Sequence, residues 1–354
     1  MLNNPLLNNL FNYATSELSQ DAFICWLLSF AAHEECDCSN LSLRSCAVEL
    51  IKEFVPVLKD IDKSKIKVTD LKRQYKSVDV FAVVNEIYGI IIEDKTDTKE
   101  HDNQLERYEE KIKSEHTELQ LCKVFYKTGF QSDYTEVIKA NYMVFDRKRI
   151  LDILRQFNPE IKNDIFDNYF KAIKYWENES KAYRTKEINA WNDWQVNGFY
   201  EDLKRADFET NYEFDADFDY VHNQSGGFHA MWIYNRKLYT YKYKGIEYEL
   251  YLQMEFVNHK MNICLKVSID DEEKKIKPRE LREHLIWYQD ESGKWIQRAE
   301  KYGFNKPARF GSGKTMTLGI YNKENKNYKD IKNNLREALE QFTAFTSEIK
   351  QLLF

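Results

Sequence analysis

The segment 77–108 constrains the fold of this chain most, because it predicts a buried hairpin that ends in charged residues. Residues 78–84 are apolar and largely β-branched apart from Asp79, and residues 88–92 resume the pattern with three isoleucines in a row. Such runs, bounded by polar residues, are typical of strands buried on both faces. The second run ends directly in the three charged residues at 93–95, so the sequence predicts charges held against a core.

Hairpin geometry predicts which of these charges share a face. A turn at residues 85–87 sets Asp79 opposite Glu93, and directly opposed residues lie roughly 4.5–5.5 Å apart at Cβ. Side chains alternate along a strand, so Lys95 lies on the face of Glu93 and Asp94 lies on the other. One face of the hairpin is therefore expected to carry two carboxylates and one ammonium group.

Two carboxylates in this position repel each other, and burial increases the repulsion. A divalent metal resolves the conflict, and Mg²⁺ prefers one or two carboxylates together with waters and substrate phosphate oxygens. A lysine beside the metal orients a water and offsets developing negative charge. The alternative interpretation is an ordinary ion pair at the sheet end, in which Lys95 neutralises both acids.

The same residues resemble the motifs of a known family. Asp79 followed by Glu93-x-Lys95 resembles the signature of the PD-(D/E)xK nuclease superfamily. Gln104 and Tyr108 are four residues apart, and therefore on one face of a predicted helix. They resemble the Q-x-x-x-Y element that follows the catalytic lysine in several branches of that superfamily.

The first predicted helix extends this resemblance. Residues 16–31, SELSQDAFICWLLSFA, resemble the first helix of a bacterial subgroup in which an acid, here Glu17, faces the active site. Without the resemblance, Glu17 is explained by the helix dipole, which favours acids in the first turn. The chain departs from the family pattern at Val78, where a proline often precedes the first acid. The resemblance covers residues 10–155.

The resemblance implies a restriction-endonuclease-like fold and a Mg²⁺-dependent endonuclease that hydrolyses phosphodiester bonds, with Mn²⁺ able to substitute. It implies DNA rather than RNA as the substrate, and a role in bacterial defence. The implied metal ligands are Glu17, Asp79, Glu93 and the backbone carbonyl of Asp94. The implied catalytic residues are Asp79, Glu93, Lys95 and Gln104. Lys95 would position the attacking water, Gln104 would orient Lys95 or the scissile phosphate, and Tyr108 would brace the helix or contact the nucleic-acid backbone.

The net charge of −6 restricts how the chain binds nucleic acid. Proteins that coat DNA usually carry a basic footprint, so the charge argues against simple coating but not against a nuclease with a locally basic cleft. Cleavage of both strands by one site per chain favours a homodimer, and an activating ligand or protein partner is also expected. The competing hypothesis is a non-catalytic binding or regulatory module on a nuclease-like scaffold.

Composition indicates a globular, soluble and cytoplasmic protein with no membrane partner. Hydrophobic residues make up 43% of the chain, no apolar run approaches the roughly 20 residues of a membrane span, and the first residues lack the pattern of a signal peptide. The cysteines are expected to be reduced thiols. A zinc site formed by His33, Cys36, Cys38 and Cys46 is an alternative, but its spacing matches no standard knuckle.

The rest of the first half predicts the α/β core that the resemblance requires. Helices are predicted at residues 16–32 and 42–54, and strands are predicted at residues 66–74, 119–126 and 141–145. Together with the hairpin and the helix that begins near Gln104, these elements predict a mixed sheet flanked by helices. Residues 149–207 are expected to be helical, and their aromatic side chains either cover the sheet or stack on bases.

The second half predicts a separate α+β lobe, so the expected domains are 1–207 and 208–354. Residues 213–227 are acidic and are predicted to form a boundary loop; they do not match a calcium loop, because Phe218 takes the place of its glycine. An antiparallel meander is expected from strands at 228–234, 238–243, 246–256 and 261–267. The remaining predicted elements are a helix at 278–288, a strand at 315–321 and a helix at 329–353.

Residues 308–315, ARFGSGKT, match a permissive phosphate-loop pattern. A true phosphate loop follows an apolar strand and begins a helix, whereas this segment follows KYGFNKP and precedes the strand-like MTLGIY. The sequence therefore predicts a turn and no ATP site. Lys306, Arg309 and Lys314 are expected to form a small basic patch that contacts substrate phosphate.

Overall fold

Two main β-sheets of different construction organise the chain. The structure is a computed structural model, and it describes residues 6–32, 40–96, 98, 104–208, 214–223, 226–235, 241–270, 277–311 and 313–351. Contacts divide the chain into two compact units, Met1–Asn178 and Glu179–Phe354. Both units combine helices with strands, so the chain is a mixed α/β protein with several sheets.

The first unit contains a mixed sheet in the order β1-β2-β3-β4-β5. Its strands are β1 (Val68–Tyr75), β2 (Val78–Val84), β3 (Tyr88–Lys95), β4 (Gln120–Lys127) and β5 (Met143–Asp146). The first three strands pair antiparallel, and β3, β4 and β5 pair parallel. Parallel strands are usually covered on both faces, which agrees with the continuous apolar character of β2 and β3.

The central β2–β3 hairpin has the register that its sequence predicts. Val80 pairs with Ile92, so the next position sets Asp79 opposite Glu93. The turn begins at Asn85, which has a positive φ of 53°. Hairpin turns that match the twist of their strands need positive φ angles, and asparagine tolerates them well. The turn chemistry and the apolar pattern therefore fix the same pairing.

Helices cover both faces of this sheet. One group consists of α1 (Glu17–Ser29), α2 (Leu41–Phe54), α5 (Arg147–Phe157) and α6 (Asp164–Lys181). The other group consists of α3 (Gln104–Lys113) and α4 (Thr135–Lys139). Val80 and Ile92 pack in the core under the first group, and Phe81 and Ile91 pack under the second. Odd-numbered residues at the end of β3 therefore point toward α3, and even-numbered residues point toward α1.

The second unit contains an antiparallel sheet in the order β13-β10-β9-β7-β6, with β8 paired to β9. Its strands are β6 (Phe214–Asn223), β7 (Gly226–Asn235), β8 (Tyr241–Tyr243), β9 (Ile246–Val257), β10 (Lys260–Asp270) and β13 (Thr315–Tyr321). A separate pair consists of β11 (Trp287–Gln289) and β12 (Trp295–Gln297). The helices are α7 (Asp193–Leu203), α8 (Pro278–Ile286), α9 (Arg298–Lys301) and α10 (Tyr328–Gln351). The expected antiparallel meander is present in β6, β7, β9 and β10.

Strand β6 corrects the prediction of a boundary loop at 213–227. Phe214, Ala216 and Phe218 are buried, whereas the aspartates between them are exposed. This alternation has the two-residue period of a strand with one covered face. The acidic composition of the segment hid that period, because the aspartates occupy only its exposed face.

The boundary between the two units falls after Asn178, earlier than the predicted boundary at 207/208. Helix α7 accounts for the difference, because its buried side chains pack with the second sheet. Tyr200 Oη donates to the carbonyl oxygen of Met254 at 3.4 Å, and the Trp191 and Phe256 rings lie 6.4 Å apart between centroids. A helix joins the unit that covers its apolar face, and the apolar pattern alone does not identify that unit.

Among the described residues, no helix combines the length and the apolar composition that crossing a membrane requires. The described cysteines carry free thiols: Cys25, Cys46, Cys122 and Cys264. Three members of the alternative zinc site, His33, Cys36 and Cys38, lie outside the described residues.

Candidate active site

The charged end of the central hairpin is buried and closely bonded. Lys95 Nζ donates to Glu93 Oε1 at 2.5 Å, and the two side chains are 10% and 1% exposed. Asp79 stands close enough to Glu93 for a side-chain hydrogen bond between the two carboxyl groups. The strand pairing thus brings both acids and the lysine together on the face that α3 covers.

Helix α3 adds two polar side chains to this face. Gln104 Nε2 donates to Glu93 Oε1 at 2.8 Å and to Tyr108 Oη at 2.5 Å. Because the two α3 residues lie four positions apart, one helical face carries both toward the strand end. The structure therefore joins Gln104 and Tyr108 to the cluster formed by Asp79, Glu93 and Lys95.

Two donors fix the carboxylate of Asp79. Its Oδ2 accepts from the backbone N of Asp94 at 2.9 Å, and its Oδ1 accepts from Gln74 Nε2, also at 2.9 Å. Gln74 has a positive φ of 54° at the end of β1, and its Nε2 also donates to Asp21 Oδ2 at 3.1 Å. Asp79 is thus held in place by contacts from β1 and β3.

The Asp94 side chain lies on the opposite face of the sheet, as predicted. Its Oδ1 accepts from Gln20 Nε2, and Gln20 Oε1 accepts in turn from Tyr169 Oη at 3.1 Å. Tyr169 Oη lies 3.0 Å from Tyr126 Oη. This chain of hydrogen bonds anchors α1 and α6 to the end of β3.

Glu17 reaches the same strand end from the first turn of α1. Its Oε1 accepts from the backbone N of Thr96 at 2.9 Å and from Thr98 Oγ1 at 2.8 Å. Lys127, the last residue of β4, donates from Nζ to the Thr98 carbonyl oxygen at 2.6 Å. These contacts are more than the helix dipole alone requires, and they place Glu17 on the segment that follows Lys95.

Burial and neighbouring charges raise the pKa values of the acids at this strand end. Burial, and then the Asp79 charge, raises the pKa of Glu93 from 4.5 to about 8, although Lys95 opposes the shift. Burial raises the pKa of Asp21 to about 6 and also raises the pKa of Asp94, which Asp21 raises further. Burial lowers the pKa of Lys95, but the charge and hydrogen bond of Glu93 outweigh it, so the net shift is upward. The acids therefore exceed what one lysine neutralises.

Three acids near the end of β3 each have one buried oxygen without a described hydrogen-bond donor, and two of them, Glu93 and Asp94, lie on opposite faces of the sheet. Among the described residues, Glu93 Oε2, Asp94 Oδ2 and Asp21 Oδ1 are buried and accept no hydrogen bond. In that part of the chain, no group of three or more His, Cys, Asp or Glu side chains is disposed to hold a metal. Mg²⁺ needs only one or two carboxylates, because waters, carbonyls and substrate phosphates complete its shell. Asp79 and Glu93 are the two carboxylates that adjoin each other here.

Sequence reasoning missed four residues that contact this site: Gln20, Asp21, Gln74 and Lys127. Two of them left a signal. Asp21 lies four residues after Glu17 and so shares its helical face, and Lys127, which is 1% exposed, ends an apolar strand as Lys95 does. The two glutamines left no signal, because only tertiary packing brings their amides to the acids.

The predicted basic patch lies in the second unit. Lys306, Arg309 and Lys314 are exposed in the segment between α9 and β13. Lys306 Nζ lies 5.8 Å from the centre of the Phe310 ring. Strand β13 follows Lys314 directly, so this segment lacks the helix that a phosphate loop needs. The predicted strand at 315–321 is therefore confirmed.

Comparison with known proteins does not assign the chain to a family. No protein-family model, curated protein or solved structure matches it. The function must therefore be inferred from the geometry of the strand-end cluster and from the resemblance of its motifs to a nuclease signature.

Proposed function

We propose that this chain is a Mg²⁺-dependent nuclease of the PD-(D/E)xK type, built on a restriction-endonuclease-like core, which hydrolyses phosphodiester bonds. One observation carries the proposal. A buried oxygen of Glu93 accepts no hydrogen bond from an amide, ammonium or hydroxyl group of the described residues, and it lies where the four candidate catalytic residues meet: Asp79, Glu93, Lys95 and Gln104. The mixed sheet flanked by helices is compatible with such a core.

The two oxygens of Glu93 have different roles in this proposal. Lys95 and Gln104 both donate to Oε1, so Oε2 remains for a metal ion. Asp79, which two donors hold in place, would supply the second carboxylate. The Asp94 carbonyl would complete the protein ligands of this ion, and Glu17 would belong to a second position. When bound, the metal supplies the Lewis acidity that stabilises charge on the phosphate.

Lys95 would orient the attacking water. Its ammonium group is held by Glu93 at 2.5 Å. Neutralisation of Glu93 by a cation would weaken this ion pair, and Nζ would then donate to a water or to a phosphate oxygen. Gln104 would keep the orientation of Glu93, and Tyr108 would hold Gln104 through its hydroxyl group.

Nucleic acid is the proposed substrate, with DNA favoured over RNA by the resemblance. The net charge of −6 gives no long-range attraction to phosphates, so affinity would depend on the metal and on local contacts. The candidate contacts are Tyr108, Lys306, Arg309 and Lys314. A homodimer would supply the two sites that duplex cleavage needs, and activation by a ligand or protein partner would suit a bacterial defence nuclease that must spare its host.

Cleavage assays test the proposal directly. The purified chain is incubated with supercoiled plasmid, single-stranded DNA and RNA, each with Mg²⁺, Mn²⁺ or EDTA. We expect cleavage that requires metal and that falls more than about 100-fold in Asp79→Asn, which preserves the shape of the side chain but removes its charge. Cleavage that persists in EDTA or in the variant would contradict this assignment of the site.

A non-catalytic binding module is the second candidate. The ion pair itself favours it, because Lys95 already satisfies one oxygen of Glu93 without a metal. Such a module would show neither metal-dependent cleavage nor stabilisation by Mn²⁺. A functional two-carboxylate site should gain stability from the metal by mass action on the folded state, so the absence of both effects would favour the binding module.

A further inference from the structure

The second unit contains a groove of about 900 Å³ that the proposed nuclease site does not include. Its walls are the short helix Ile188–Ala190, the turn between β9 and β10, and the segment that follows β13. The backbone N of Ile188 donates to the Lys326 carbonyl oxygen at 2.9 Å, and Asn325 Nδ2 donates to the Met261 carbonyl oxygen at 3.0 Å. These hydrogen bonds join the walls, so the groove is formed by the fold itself.

Polar side chains without protein partners line this groove. No side-chain hydrogen bond or ion pair with a described residue is made by Lys260, Asn189, Asn262 or Asn322. These residues come from separate segments of the chain, so their convergence is a product of the fold. Three carboxamides and one ammonium group therefore line this groove and are free to contact a ligand.

The charged residues of the groove differ in how they are paired. Lys323 donates to Glu337, and Lys326 lies 3.5 Å from Glu324 in an exposed pair. Lys260, by contrast, has no acidic partner among the described residues. An anionic group in the groove would therefore bind best at Lys260, because no existing ion pair of Lys260 with a described residue has to be broken.

The mixture of groups matches the parts of a nucleotide. An ammonium group binds phosphate as a point charge, and asparagine carboxamides pair with a base edge through one donor and one acceptor. Glu187 and Glu324 offer acceptors for ribose hydroxyls. The volume falls within the range of about 300–1,000 Å³ that is typical of small-ligand sites.

We propose that this groove binds a nucleotide unit, with its phosphate at Lys260 and its base at the asparagine side chains. The unit comes either from a free nucleotide, which would make the second unit a sensor, or from a nucleic-acid strand. Every residue invoked belongs to the second unit. The proposal therefore goes beyond the proposed nuclease function and does not depend on it.

Fluorescence anisotropy with labelled AMP and the full chain in EDTA tests this proposal. EDTA removes the metal that the nuclease site would need, so failure of one proposal is distinguishable from failure of the other. We expect saturable binding that unlabelled AMP displaces more effectively than adenosine does. Lys260→Ala should weaken binding about tenfold, through loss of one charge-assisted contact. Lys294→Ala removes an exposed lysine of the β11–β12 turn, outside the groove, and should leave binding unchanged.

A labelled single-stranded DNA oligonucleotide forms the second arm of this experiment. Oligonucleotide binding that depends on Lys260, without binding of AMP, would support the proposal and identify a strand as the source of the nucleotide unit. The proposal would be overturned if neither probe bound saturably, or if Lys260→Ala bound both probes as tightly as the wild type. Lys260 is exposed, so its substitution is expected to leave the fold intact.

Discussion

Each unit of the molecule contains a buried lysine–glutamate pair, and the two pairs have different surroundings. In the first sheet, Lys95 lies 2.5 Å from Glu93; in the second, Lys266 lies 3.0 Å from Glu255. The lysine side chains are 10% and 11% exposed, respectively. The lysines are thus equally buried, whereas Glu93 is 1% exposed and Glu255 is 16% exposed, so the pairs differ in the burial of the glutamate and in their neighbours.

In the second unit, each member of the ion pair makes one further hydrogen bond to a neutral side chain. Lys266 Nζ also donates to Thr317 Oγ1 at 3.2 Å, and Glu255 Oε1 also accepts from Gln253 Nε2 at 2.9 Å. Each charged group thus has a further polar contact from an adjacent strand or from its own strand. A largely buried pair with such additional contacts is suited to a structural role in the sheet.

In the first unit, the acidic groups outnumber the lysine that pairs with them. A second acid, Asp79, adjoins Glu93, and Glu93 Oε2 accepts no hydrogen bond from a described residue. Burial and the Asp79 charge together raise the pKa of Glu93 to about 8. Burial of an ion pair therefore does not by itself indicate a catalytic role. A functional site is indicated instead by an excess of acids over lysines and by a buried polar atom that accepts no hydrogen bond.

Replacement of the lysine in each pair gives the largest expected difference in cleavage between the two units. In Lys95→Met, metal-dependent cleavage should fall more than about 100-fold, because no group remains to position water at the strand end. In Lys266→Met, cleavage should be unchanged, although stability falls because Glu255 loses its partner. Methionine is long, unbranched and uncharged in both cases, so initial cleavage rates isolate the effect of the charge.

Circular dichroism at the assay temperature controls for loss of fold in both variants. Equal losses of cleavage in Lys95→Met and Lys266→Met would show that the assay reports general stability, and the distinction between the two pairs would then be wrong. Full activity in Lys95→Met would remove this lysine from the mechanism and would favour the binding module.

The unequal charge around Glu93 also predicts how stability depends on pH. Its pKa is about 8 in the folded chain against an ordinary value of 4.5. Its contribution to stability is therefore fully present below pH 4.5 and is lost as the pH rises through 8. Without metal, the free energy of unfolding of the wild type should fall across this window by about 2 kcal/mol more than that of Asp79→Asn, in which the repulsion is relieved.

Addition of Mn²⁺ should reverse this loss in the wild type. A cation binds the carboxylate form and so competes with the proton on Glu93, which makes stabilisation larger at about pH 8.5 than at about pH 6. The gain should reach about 2.7 kcal/mol when the metal is at 100 times its Kd. Urea unfolding at both pH values measures the effect. An equal gain in Asp79→Asn would place the metal elsewhere.

Local determinants make the hairpin and its charges predictable from sequence. The two-residue period of a strand puts Glu93 and Asp94 on opposite faces, and the turn at Asn85 sets Asp79 opposite Glu93. The helical period likewise joins Gln104 to its partner on α3. Each of these relationships spans few residues or one strand pairing, so no knowledge of distant packing is needed to predict it.

Tertiary packing determines what the sequence leaves open. Gln20 meets Asp94, which lies 74 residues later in the chain, only because α1 packs on β3. Strand β6 escaped prediction because its exposed aspartates dominate the composition. The contact boundary differs from the predicted domain boundary because an amphipathic helix such as α7 does not identify the sheet that it covers. The missed features are therefore those that depend on which elements meet.

Removal of one tyrosine hydroxyl in each unit gives the smallest expected difference in cleavage. Gln104 Nε2 donates to Tyr108 Oη at 2.5 Å, and Tyr321 Oη donates to Glu337 Oε2 at 2.7 Å. A hydrogen bond contributes about 1 kcal/mol, so Tyr108→Phe should reduce cleavage about fivefold by loosening Gln104. Tyr321→Phe removes a hydroxyl contact in the second unit and should leave cleavage unchanged.

Separate values of kcat and KM show how Tyr108 acts. A hydroxyl group that only holds Gln104 should affect kcat, whereas one that contacts the nucleic-acid backbone should affect KM. Identical kinetics in Tyr108→Phe and the wild type would show that Tyr108, which is 8% exposed, contributes through packing of its ring alone. The proposed catalytic residues would then exclude Tyr108. The difference between the two lysine–glutamate pairs would depend on the additional acid, Asp79, beside Glu93 and Lys95.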